Sequence, residues 1–195
     1  MRKFIPPTHP VYKTAPPTSN GWLHEIKFDG FRVQLHTGPG PTIYSRNGSD
    51  FTRRFRSLLP ALSEYPPAII DAELVACDKD DKPDFHALMF RPSNLCLWCF
   101  DLLADERDLR ALPLITRRAM LRKLLLEPSV LRMSESFSDP KKLLASCEAM
   151  GLEGIVSKKA DQPYKSGKNV GWIKVKTLSW RMANQDRPEL FQRQG

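Results

Sequence analysis

The sequence has no long hydrophobic run and no leader-like segment at its start. Its longest apolar run, residues 95–100, is far shorter than the ~20 residues that a helix needs to cross a bilayer. The first ten residues, M-R-K-F-I-P-P-T-H-P, carry positive charge without the apolar stretch of a signal peptide. We therefore expect a cytoplasmic protein that does not insert into a membrane.

Clustered metal ligands are also lacking. The four cysteines include one C-x-x-C pair, Cys96 and Cys99, and the four histidines are scattered. The pair lies in N-L-C-L-W-C-F-D, which is typical of a buried strand, and residues three apart on a strand point to opposite faces. We therefore expect reduced core cysteines rather than a zinc site or disulfides.

Two further patterns are missing. No G-x-G-x-x-G follows a predicted strand, which argues against a doubly wound fold, and the sequence has no internal repeat or low-complexity segment. Strand and helix patterns are instead mixed without regular alternation. This mixture predicts an α+β fold with mainly antiparallel sheets flanked by helices.

Seven strands are predicted from alternating apolar residues and their flanking turns. They lie at about residues 23–28, 31–35, 42–45, 69–76, 94–103, 153–158 and 172–176. The G-P-G-P sequence at 38–41 is expected to turn the chain between two of them. A second turn, at 78–83, is rich in charge and is expected to be solvated.

Helix signals are fewer. Apolar residues between 51 and 62 recur at helical spacing, and Pro60 is expected to divide or restart that helix. Thr116 is predicted to cap a helix that runs to about Leu126. Asp139, followed by proline, is predicted as the N-cap of a helix that ends at the next glycine.

The basic residues point to an anionic partner. The 195 residues carry 30 Lys and Arg against 22 Asp and Glu, a net charge of +8, and are enough for one domain with its own core. A nucleic acid or nucleotide is favoured over a membrane surface. The simpler interpretation is a basic surface without a specific partner.

Five segments place charged residues within strand patterns. In chain order they are E-I-K-F-D-G-F-R (25–32), S-R-N-G (45–48), D-A-E-L (71–74), E-G-I-V-S-K (153–158) and W-I-K-V-K (172–176). Because alternate residues share a face, Lys174 and Lys176 should project together. Taken singly, each segment is more typical of a half-solvated strand.

In this order the segments resemble the motifs K-x-D-G-x-R, S-R-x-G, D-G-E, E-G-x-x-x-K and K-x-K of the covalent nucleotidyltransferases, the superfamily of ligases and mRNA-capping enzymes. The closer likeness is to ATP-dependent DNA ligases, especially the ligase module of bacterial non-homologous end-joining enzymes. It runs from about Trp22 to Lys176. The resemblance implies an ATP-grasp-like catalytic domain that uses ATP and Mg²⁺ and acts on nicked or broken DNA in repair.

The resemblance implies a role for each matching residue. Lys27 becomes the nucleophile that takes AMP from ATP through a phosphoramidate bond. Since an ammonium group cannot attack, Lys174 and Lys176 are expected to lower the pKa of its amine and to contact the α-phosphate. Glu153 is implied as a metal ligand. The other implied nucleotide-binding residues are Glu25 on the adenine amine, Ile26, Arg32 and Arg46 on ribose and phosphate, Glu73 on a ribose hydroxyl, Phe100 stacked on the purine, and Lys168.

Some of these residues have simpler interpretations. Phe100 is also what a plain core phenylalanine would look like. Lys168 stands where relatives often carry arginine, and it lacks the planar fork of that side chain. Gly30 is expected to permit backbone angles that a larger residue resists. Ala72 stands where the family usually has glycine, which is tolerated unless the backbone there needs a positive φ.

The resemblance also implies a division of the chain. We expect an extended arm over residues 1–21, an adenylation domain over 22–178 and a basic tail over 179–195. The tail offers Arg181, Arg187 and Arg193 as candidate DNA contacts, although a solvated terminal helix would look the same.

The length of the chain bears on its activity. Only 19 residues follow Lys176, too few for the OB-fold domain that usually completes such ligases. We therefore expect weak or partner-dependent activity, with an OB-fold or end-joining protein acting in trans. Two other functions remain open: a nucleotide- or DNA-end-binding accessory module without turnover, and an RNA-directed nucleotidyltransferase.

Overall fold

The computed structural model describes residues 3–77, 83–90, 93–125 and 129–184. The strands, in chain order, are β1 (Thr8–Tyr12), β2 (Trp22–Lys27), β3 (Phe31–His36), β4 (Thr42–Ser45), β5 (Ile69–Ala76), β6 (Leu95–Ala104), β7 (Leu131–Met133), β8 (Ser136–Phe137), β9 (Gly154–Lys159) and β10 (Gly167–Lys176). The helices are α1 (Leu59–Ser63), α2 (Phe85–Phe90), α3 (Leu114–Leu124), α4 (Pro140–Ala149) and α5 (Leu178–Ala183).

These strands form two five-stranded sheets. The first has the order β1-β10-β9-β2-β8 and the second the order β4-β3-β5-β6-β7. Within the described residues, β1 pairs with β10 and β6 with β7 in parallel, whereas the other ladders are antiparallel. The predicted α+β fold with mainly antiparallel sheets is therefore confirmed.

Each sheet has its own apolar core. The main cluster packs the alternate residues of β3, β5 and β6, such as Leu35, Leu74 and Leu97, against α1 and α3. A smaller cluster packs Ile155 and Val175 of the first sheet against α4. The chain passes from one sheet to the other between β2 and β3, which places the K-F-D-G-F-R segment where the two sheets meet.

Gly30 lies in this crossing and approaches another strand closely. A Cβ atom added there would lie 2.3 Å from the backbone carbonyl oxygen of Leu74. Gly30 is not among the described glycines with a positive φ. The glycine is therefore needed for the close approach, and the predicted reason, unusual backbone angles, is wrong. Ala72 has no positive φ either and is fully buried, so alanine fits there.

The start of α3 differs from the prediction. The helix begins at Leu114, two residues before Thr116, and no side chain caps it. The backbone amides of Leu114 and Ile115 donate instead to the carbonyl oxygens of Gln162 and Ala160. The first amides of the helix are thus satisfied by the loop after β9, a tertiary contact that the local sequence does not reveal.

The predictions for α1 and α4 agree better with the structure. A short 3-10 turn (Arg56–Leu58) precedes α1, and α1 starts with Pro60 in its first turn, as expected of a proline that restarts a helix. Asp139 caps α4 as predicted, because its Oδ1 accepts from the amides of Lys141 and Lys142, each at 3.0 Å. The predicted turn at 78–83 lies almost wholly outside the described residues.

The N-terminal arm takes part in the first sheet. Its residues Thr8–Tyr12 form β1, which pairs with β10 at its edge. The division of the chain at residue 21 stays a prediction. At the other end, α5 contains Arg181, whereas Arg187 and Arg193 lie outside the described residues.

All four cysteines lie in the described part of the chain, where they are buried and form no disulfide. Cys96 and Cys99 belong to different apolar clusters, so their thiols diverge as predicted from strand alternation. In the described part of the chain no helix is both long and apolar enough to cross a bilayer.

We predict that Gly30→Ala destabilises the fold by about 1–3 kcal/mol, because the new methyl group must push the β5 backbone away. The matched control is Gly40→Ala, where φ is +71° but no atom lies within 4 Å of the new methyl group. That control should lose only the ~1 kcal/mol cost of a left-handed alanine. Urea unfolding of both variants measures the difference, and equal losses would contradict the steric explanation.

Candidate active site

A cavity of about 660 Å³ opens where the two sheets meet. Residues from both sheets line it, together with His9 and Pro10 of the arm and the turn after β4. Eight of the eleven predicted site residues are among its lining residues: Glu25, Ile26, Lys27, Arg32, Arg46, Glu73, Phe100 and Lys174. Glu153 contacts Lys27 in this lining, Lys176 contacts Glu153, and Lys168 is not among the lining residues.

One end of the cavity holds the amine of Lys27, the last residue of β2. Its Nζ lies 2.6 Å from Oε2 of Glu153, whose side chain is only 5% exposed. Lys176 Nζ lies 3.1 Å from the other oxygen of the same carboxylate. Lys27 and Lys176 both align with Gly154 on β9, so strand pairing brings these side chains together.

Gly154 permits this close packing of strands. Its φ is +149°, and a Cβ atom there would lie 2.0 Å from the carbonyl oxygen of Val175 on β10. The glycine of the E-G-I-V-S-K segment therefore allows Glu153 to enter the site between β2 and β10. A larger residue would displace β10, which carries both lysines of the K-x-K segment.

The ion pair changes the expected acidity of Lys27. Burial alone would lower the pKa of the amine, but the carboxylates of Glu153, Glu73 and Asp29 outweigh burial and raise it above its ordinary value. The predicted lowering by neighbouring cations is therefore wrong. The reason is that a carboxylate, rather than a lysine, is the nearest charged group.

The lowered pKa that was expected for Lys27 is found for Lys174 instead. Burial, and then the charges of Lys27 and Lys176, lower the pKa of the Lys174 amine. The three lysines are thus close enough to repel one another, and the alternation of β10 had predicted this for Lys174 and Lys176. Their charges converge on the end of the cavity where Lys27 lies.

Glu73 faces the same end from β5. Burial raises the pKa of its carboxyl group to about 7; the charge of Glu153 adds to this shift, and those of Lys27 and Arg32 oppose it. Glu73 therefore changes its protonation state near neutral pH. Glu73 lies on β5, which pairs with β3, and it aligns there with Arg32 of β3.

Arg32 lies in the wall of the cavity with its fork already engaged. It donates to both oxygens of Asp71, at 2.9 and 2.6 Å, and to the carbonyl oxygen of Thr8. The Tyr164 hydroxyl donates to the same carboxylate at 2.7 Å. Despite the opposing effect of burial, Asp71 raises the pKa of the guanidinium group. Arg32 thus ties the arm to the second sheet.

The mouth of the cavity is cationic. Arg46 is exposed there, on the turn after β4. Burial and the charges of Arg32, Arg46 and Lys174 lower the pKa of His9, which lies on the arm strand. An anion entering the cavity would therefore meet several positive charges before it reaches Lys27.

The far, closed end of the cavity is lined by aromatic rings and by charged side chains that pair with one another. The rings of Phe100 and Trp172 lie 6.1 Å apart in an edge-to-face arrangement, and both are almost fully buried. The Nζ of Lys158 lies over both rings, 4.1 and 4.4 Å from their centres. Ile26 borders the cavity while its side chain packs against the α4 core.

Glu25 is held in place beside these rings. Its Oε1 lies 2.8 Å from the Lys158 amine and 3.0 Å from Nη1 of Arg118, and its Oε2 accepts from the Ser134 hydroxyl at 2.7 Å. Burial lowers the pKa of Lys158 to about 8; Arg118 adds to this shift, whereas Glu25 opposes it. The carboxylate, the amine and the guanidinium group form one buried network.

Lys168 lies away from this site. It is exposed, aligns with His9 on β1, and precedes the part of β10 that pairs with β9. At ~3.3 Å per residue it stands about 13 Å along the strand from Trp172. The match of Lys168 to the family pattern therefore does not place it in the cavity, and its role stays a prediction.

Sequence reasoning missed several residues that build the site. Lys158 and Trp172 lie inside quoted segments but had been given no role there. Ser134, Arg118 and His9 lie outside every segment. Lys158 had a usable signal, a lysine inside an otherwise apolar strand pattern, whereas Arg118 and Ser134 join the site only through tertiary contacts.

The carboxylates suit a magnesium ion better than a metal that needs many protein ligands. The described residues contain no group of three or more His, Cys, Asp and Glu that could hold a metal. Glu73 and Glu153 are close enough to interact, as their mutual effect on the pKa of Glu73 indicates. One or two carboxylates are the usual protein ligands of Mg²⁺ when phosphates supply the rest.

A lysine amine paired with a buried carboxylate where two mainly antiparallel sheets meet, facing a cavity with a cationic mouth and an aromatic end, defines the class of covalent nucleotidyltransferases. Within that class the chain belongs to the family described as the ATP dependent DNA ligase domain, which matches residues 11–176. The match includes all eleven predicted site residues.

Relatives and solved structures agree with this family. The chain is 36% identical over 188 residues to the multifunctional non-homologous end joining protein LigD of Pseudomonas aeruginosa, covering 90% of this chain and 22% of that protein. It is 34% identical over 176 residues to a probable DNA ligase of Dictyoglomus thermophilum, covering 78% of this chain and 30% of that protein. The chain thus spans between a fifth and a third of the length of these relatives.

A solved structure of mycobacterial DNA ligase D, complexed with ATP and MES, superposes with a TM-score of 0.77 at 27% identity. The superposition covers 87% of this chain and 59% of that one. The predicted family and fold are confirmed by these similarities.

We predict that Glu73→Gln stabilises the ligand-free protein at pH 8. When the pKa of a carboxyl group is higher in the folded than in the unfolded chain, the free energy of unfolding of the protein falls as the pH rises between the two values. For Glu73 this range runs from about 4.5 to about 7. The amide removes this penalty, so the gain should be about 1–3 kcal/mol at pH 8 and should vanish near pH 4.5. Thermal unfolding across this pH range measures it.

Glu64→Gln is the control for this experiment, because Glu64 is exposed at the end of α1. It should change stability little at either pH. A gain from Glu73→Gln that is the same at pH 5 and pH 8, or a loss at pH 8, would contradict the assigned burial of Glu73.

Proposed function

We propose that this chain is the adenylation domain of an ATP-dependent DNA ligase, which loads Lys27 with AMP and passes the AMP to a DNA 5′-phosphate. The observation that carries the proposal is the Lys27 amine at the cationic end of a cavity whose other end offers aromatic rings and a carboxylate. Family membership supports the same reaction, and the P. aeruginosa relative is described as an end-joining protein.

The proposed first step is an attack of the Lys27 nitrogen on the α-phosphorus of ATP. An N–P bond forms, the bond between the α-phosphorus and the bridging oxygen breaks, and pyrophosphate leaves. The amine must lose a proton for this attack, and Glu153 Oε2, at 2.6 Å, is the acceptor in contact with it. Lys174 and Lys176 would stabilise the charge that develops on the phosphate.

The rest of the nucleotide would follow the shape of the cavity. The purine would lie at the closed end beside Phe100, where Glu25 can accept from the exocyclic amine of adenine. Guanine carries a carbonyl at that position, so a carboxylate would disfavour GTP. Glu73 and Arg32, which align on neighbouring strands and both line the cavity, would meet the ribose, and Arg46 at the mouth would meet the phosphates.

Magnesium is proposed as the metal of this reaction. Glu153 is the residue that would hold it, with Glu73 as the nearest second carboxylate. When bound, the ion would neutralise phosphate charge and so favour attack.

In the later steps AMP would move to a 5′-phosphate, and a 3′-hydroxyl would displace it to join the strands. Nicked or broken DNA is the proposed partner, and the net charge of +8 supports electrostatic binding that weakens as salt rises. Help from an OB-fold or end-joining protein in trans stays a prediction, as does the cytoplasmic location.

We predict that incubation with α-labelled ATP and Mg²⁺ labels the protein and that Lys27→Ala abolishes the label, because Lys27 is the proposed nucleophile and Lys176, which contacts the other oxygen of Glu153, does not line the cavity. Lys141→Ala, at an exposed position in the first turn of α4, is the control and should label like the unchanged protein. Unlabelled ATP should compete for labelling and GTP should not. Equal labelling of the Lys27→Ala variant would refute the assignment.

Nicked duplexes separate the remaining possibilities. Sealing of a DNA nick supports the full ligase reaction, and faster sealing of an RNA nick would favour an RNA-directed enzyme. Nucleotide binding without labelling would point to an accessory module. Labelling without sealing would support the first step and place the joining step with a partner.

A further inference from the structure

Two adjacent arginines of α3, Arg117 and Arg118, are both buried. Arg117 is fully buried and Arg118 is 5% exposed. Buried arginines are uncommon because a charge loses its hydration in the protein interior, so each needs specific partners. The two side chains leave the helix toward different parts of the protein and contact different groups.

Arg117 contacts the fold and does not line the cavity. Its Nε and Nη2 donate to the two oxygens of Asp101, at 2.7 and 2.8 Å, and its Nη1 donates to the carbonyl oxygen of Leu112. Asp101 is itself fully buried on β6. This pair joins α3 to the second sheet and serves as a purely structural comparison for its neighbour.

Arg118 instead joins three separate walls of the purine end of the cavity. Its Nη1 donates to Oε1 of Glu25 on β2 at 3.0 Å and to the carbonyl oxygen of Phe100 on β6 at 3.1 Å. Its Nη2 donates to the carbonyl oxygen of Ser134, after β7, at 2.6 Å. The hydroxyl of the same serine donates to Glu25. One guanidinium group thus fixes the carboxylate and the backbones on both sides of it.

The contacts made by the described residues leave the Glu25 carboxylate with a single unused acceptor position. A carboxylate has about four lone-pair positions, two on each oxygen. Arg118 and Lys158 use the positions on Oε1, and the Ser134 hydroxyl uses one on Oε2. The remaining position belongs to Oε2, and the cavity that Glu25 lines is the space from which a ligand can reach it.

We propose that Arg118 is a positioning residue for base selection, which holds Glu25 so that its one unused acceptor position meets the exocyclic amine of adenine. This inference rests on the proposed function, since it takes the base to be the group beside Glu25. Arg118 itself does not line the cavity.

Lys158 cannot replace Arg118 in this role. An ammonium group is a point charge without a fixed fork, and Lys158 already lies over the rings of Phe100 and Trp172. With the guanidinium group removed, Glu25 would keep one cation but lose the contact that fixes the orientation of its carboxylate. The backbone of Ser134 would lose its partner at the same time.

The experiment compares binding of ATP with binding of purine riboside triphosphate, which lacks only the exocyclic amine. Calorimetry without turnover gives both dissociation constants. The unchanged protein should prefer ATP by about tenfold to a hundredfold, the value of a hydrogen bond to a charged group. Arg118→Lys should reduce this ratio to about one to threefold, mainly by weakening ATP binding.

Arg117→Lys is the matched control, since it makes the same change at the neighbouring buried arginine. It should lower the melting temperature and leave the ratio within about twofold of the unchanged protein, because Asp101 does not contact Glu25. Glu25→Gln is a second control and should also reduce the ratio. If Arg118→Lys lowers stability alone and keeps the ratio, the proposal is overturned.

A rescue experiment covers the case in which Arg118→Lys folds poorly. Millimolar guanidinium added to Arg118→Ala should restore ATP binding and leave binding of purine riboside triphosphate unchanged. Equal effects on both nucleotides would overturn the proposal. A protein that labels on Lys27 but fails these tests keeps the proposed function, whereas a protein that binds neither nucleotide loses both.

Discussion

The ion pair between Lys27 and Glu153 connects the strands that build the reactive end of the cavity. It can form because Gly154 lets β9 approach β10 closely, so that the amine at the end of β2 and the carboxylate before β9 meet at 2.6 Å. Lys176 completes the arrangement from β10. The carboxylate that holds the Lys27 amine in place also raises the pKa of that amine above its ordinary value.

The two ends of the cavity differ in how their charges are balanced. At the closed end, buried charges occur with their partners, because an unpaired charge in the interior would cost several kcal/mol. Glu25, Lys158 and Arg118 balance one another there. At the open end, positive charges gather around Lys27, and Glu73, whose pKa burial raises to about 7, carries only part of a negative charge near neutral pH. An anionic phosphate would supply the negative charge that this end lacks.

Sequence reasoning succeeded where local pattern decides structure. The strand over residues 69–76, the cap at Asp139 and the shared face of Lys174 and Lys176 follow from alternation and capping, which depend on near neighbours. The five charged segments could be placed in one site because their order matched a known family. The choice of residues within those segments was less complete, as Lys158 shows.

Sequence reasoning failed where contacts between residues far apart in the chain determine the structure. Glu25 meets Arg118 and Ser134 across 93 and 109 residues, and no local pattern marks either partner. The direction of the Lys27 pKa shift required knowing that Glu153 is nearer than the lysines. Lys168 matched a family position but lies beyond the part of β10 that borders the cavity. Thr116 was expected to cap α3, but carbonyl groups of another loop perform that task.

The most direct test of the Lys27–Glu153 pair is an NMR titration of the Lys27 ε-amine in the ligand-free protein, with the exposed Lys141 as an internal reference. The ion pair predicts that the pKa of Lys27 lies above its ordinary value of 10.5 and falls below that value in Glu153→Gln, where burial and Lys174 act unopposed by that carboxylate. A pKa below 10.5 in the unchanged protein, or no response to Glu153→Gln, would contradict the account.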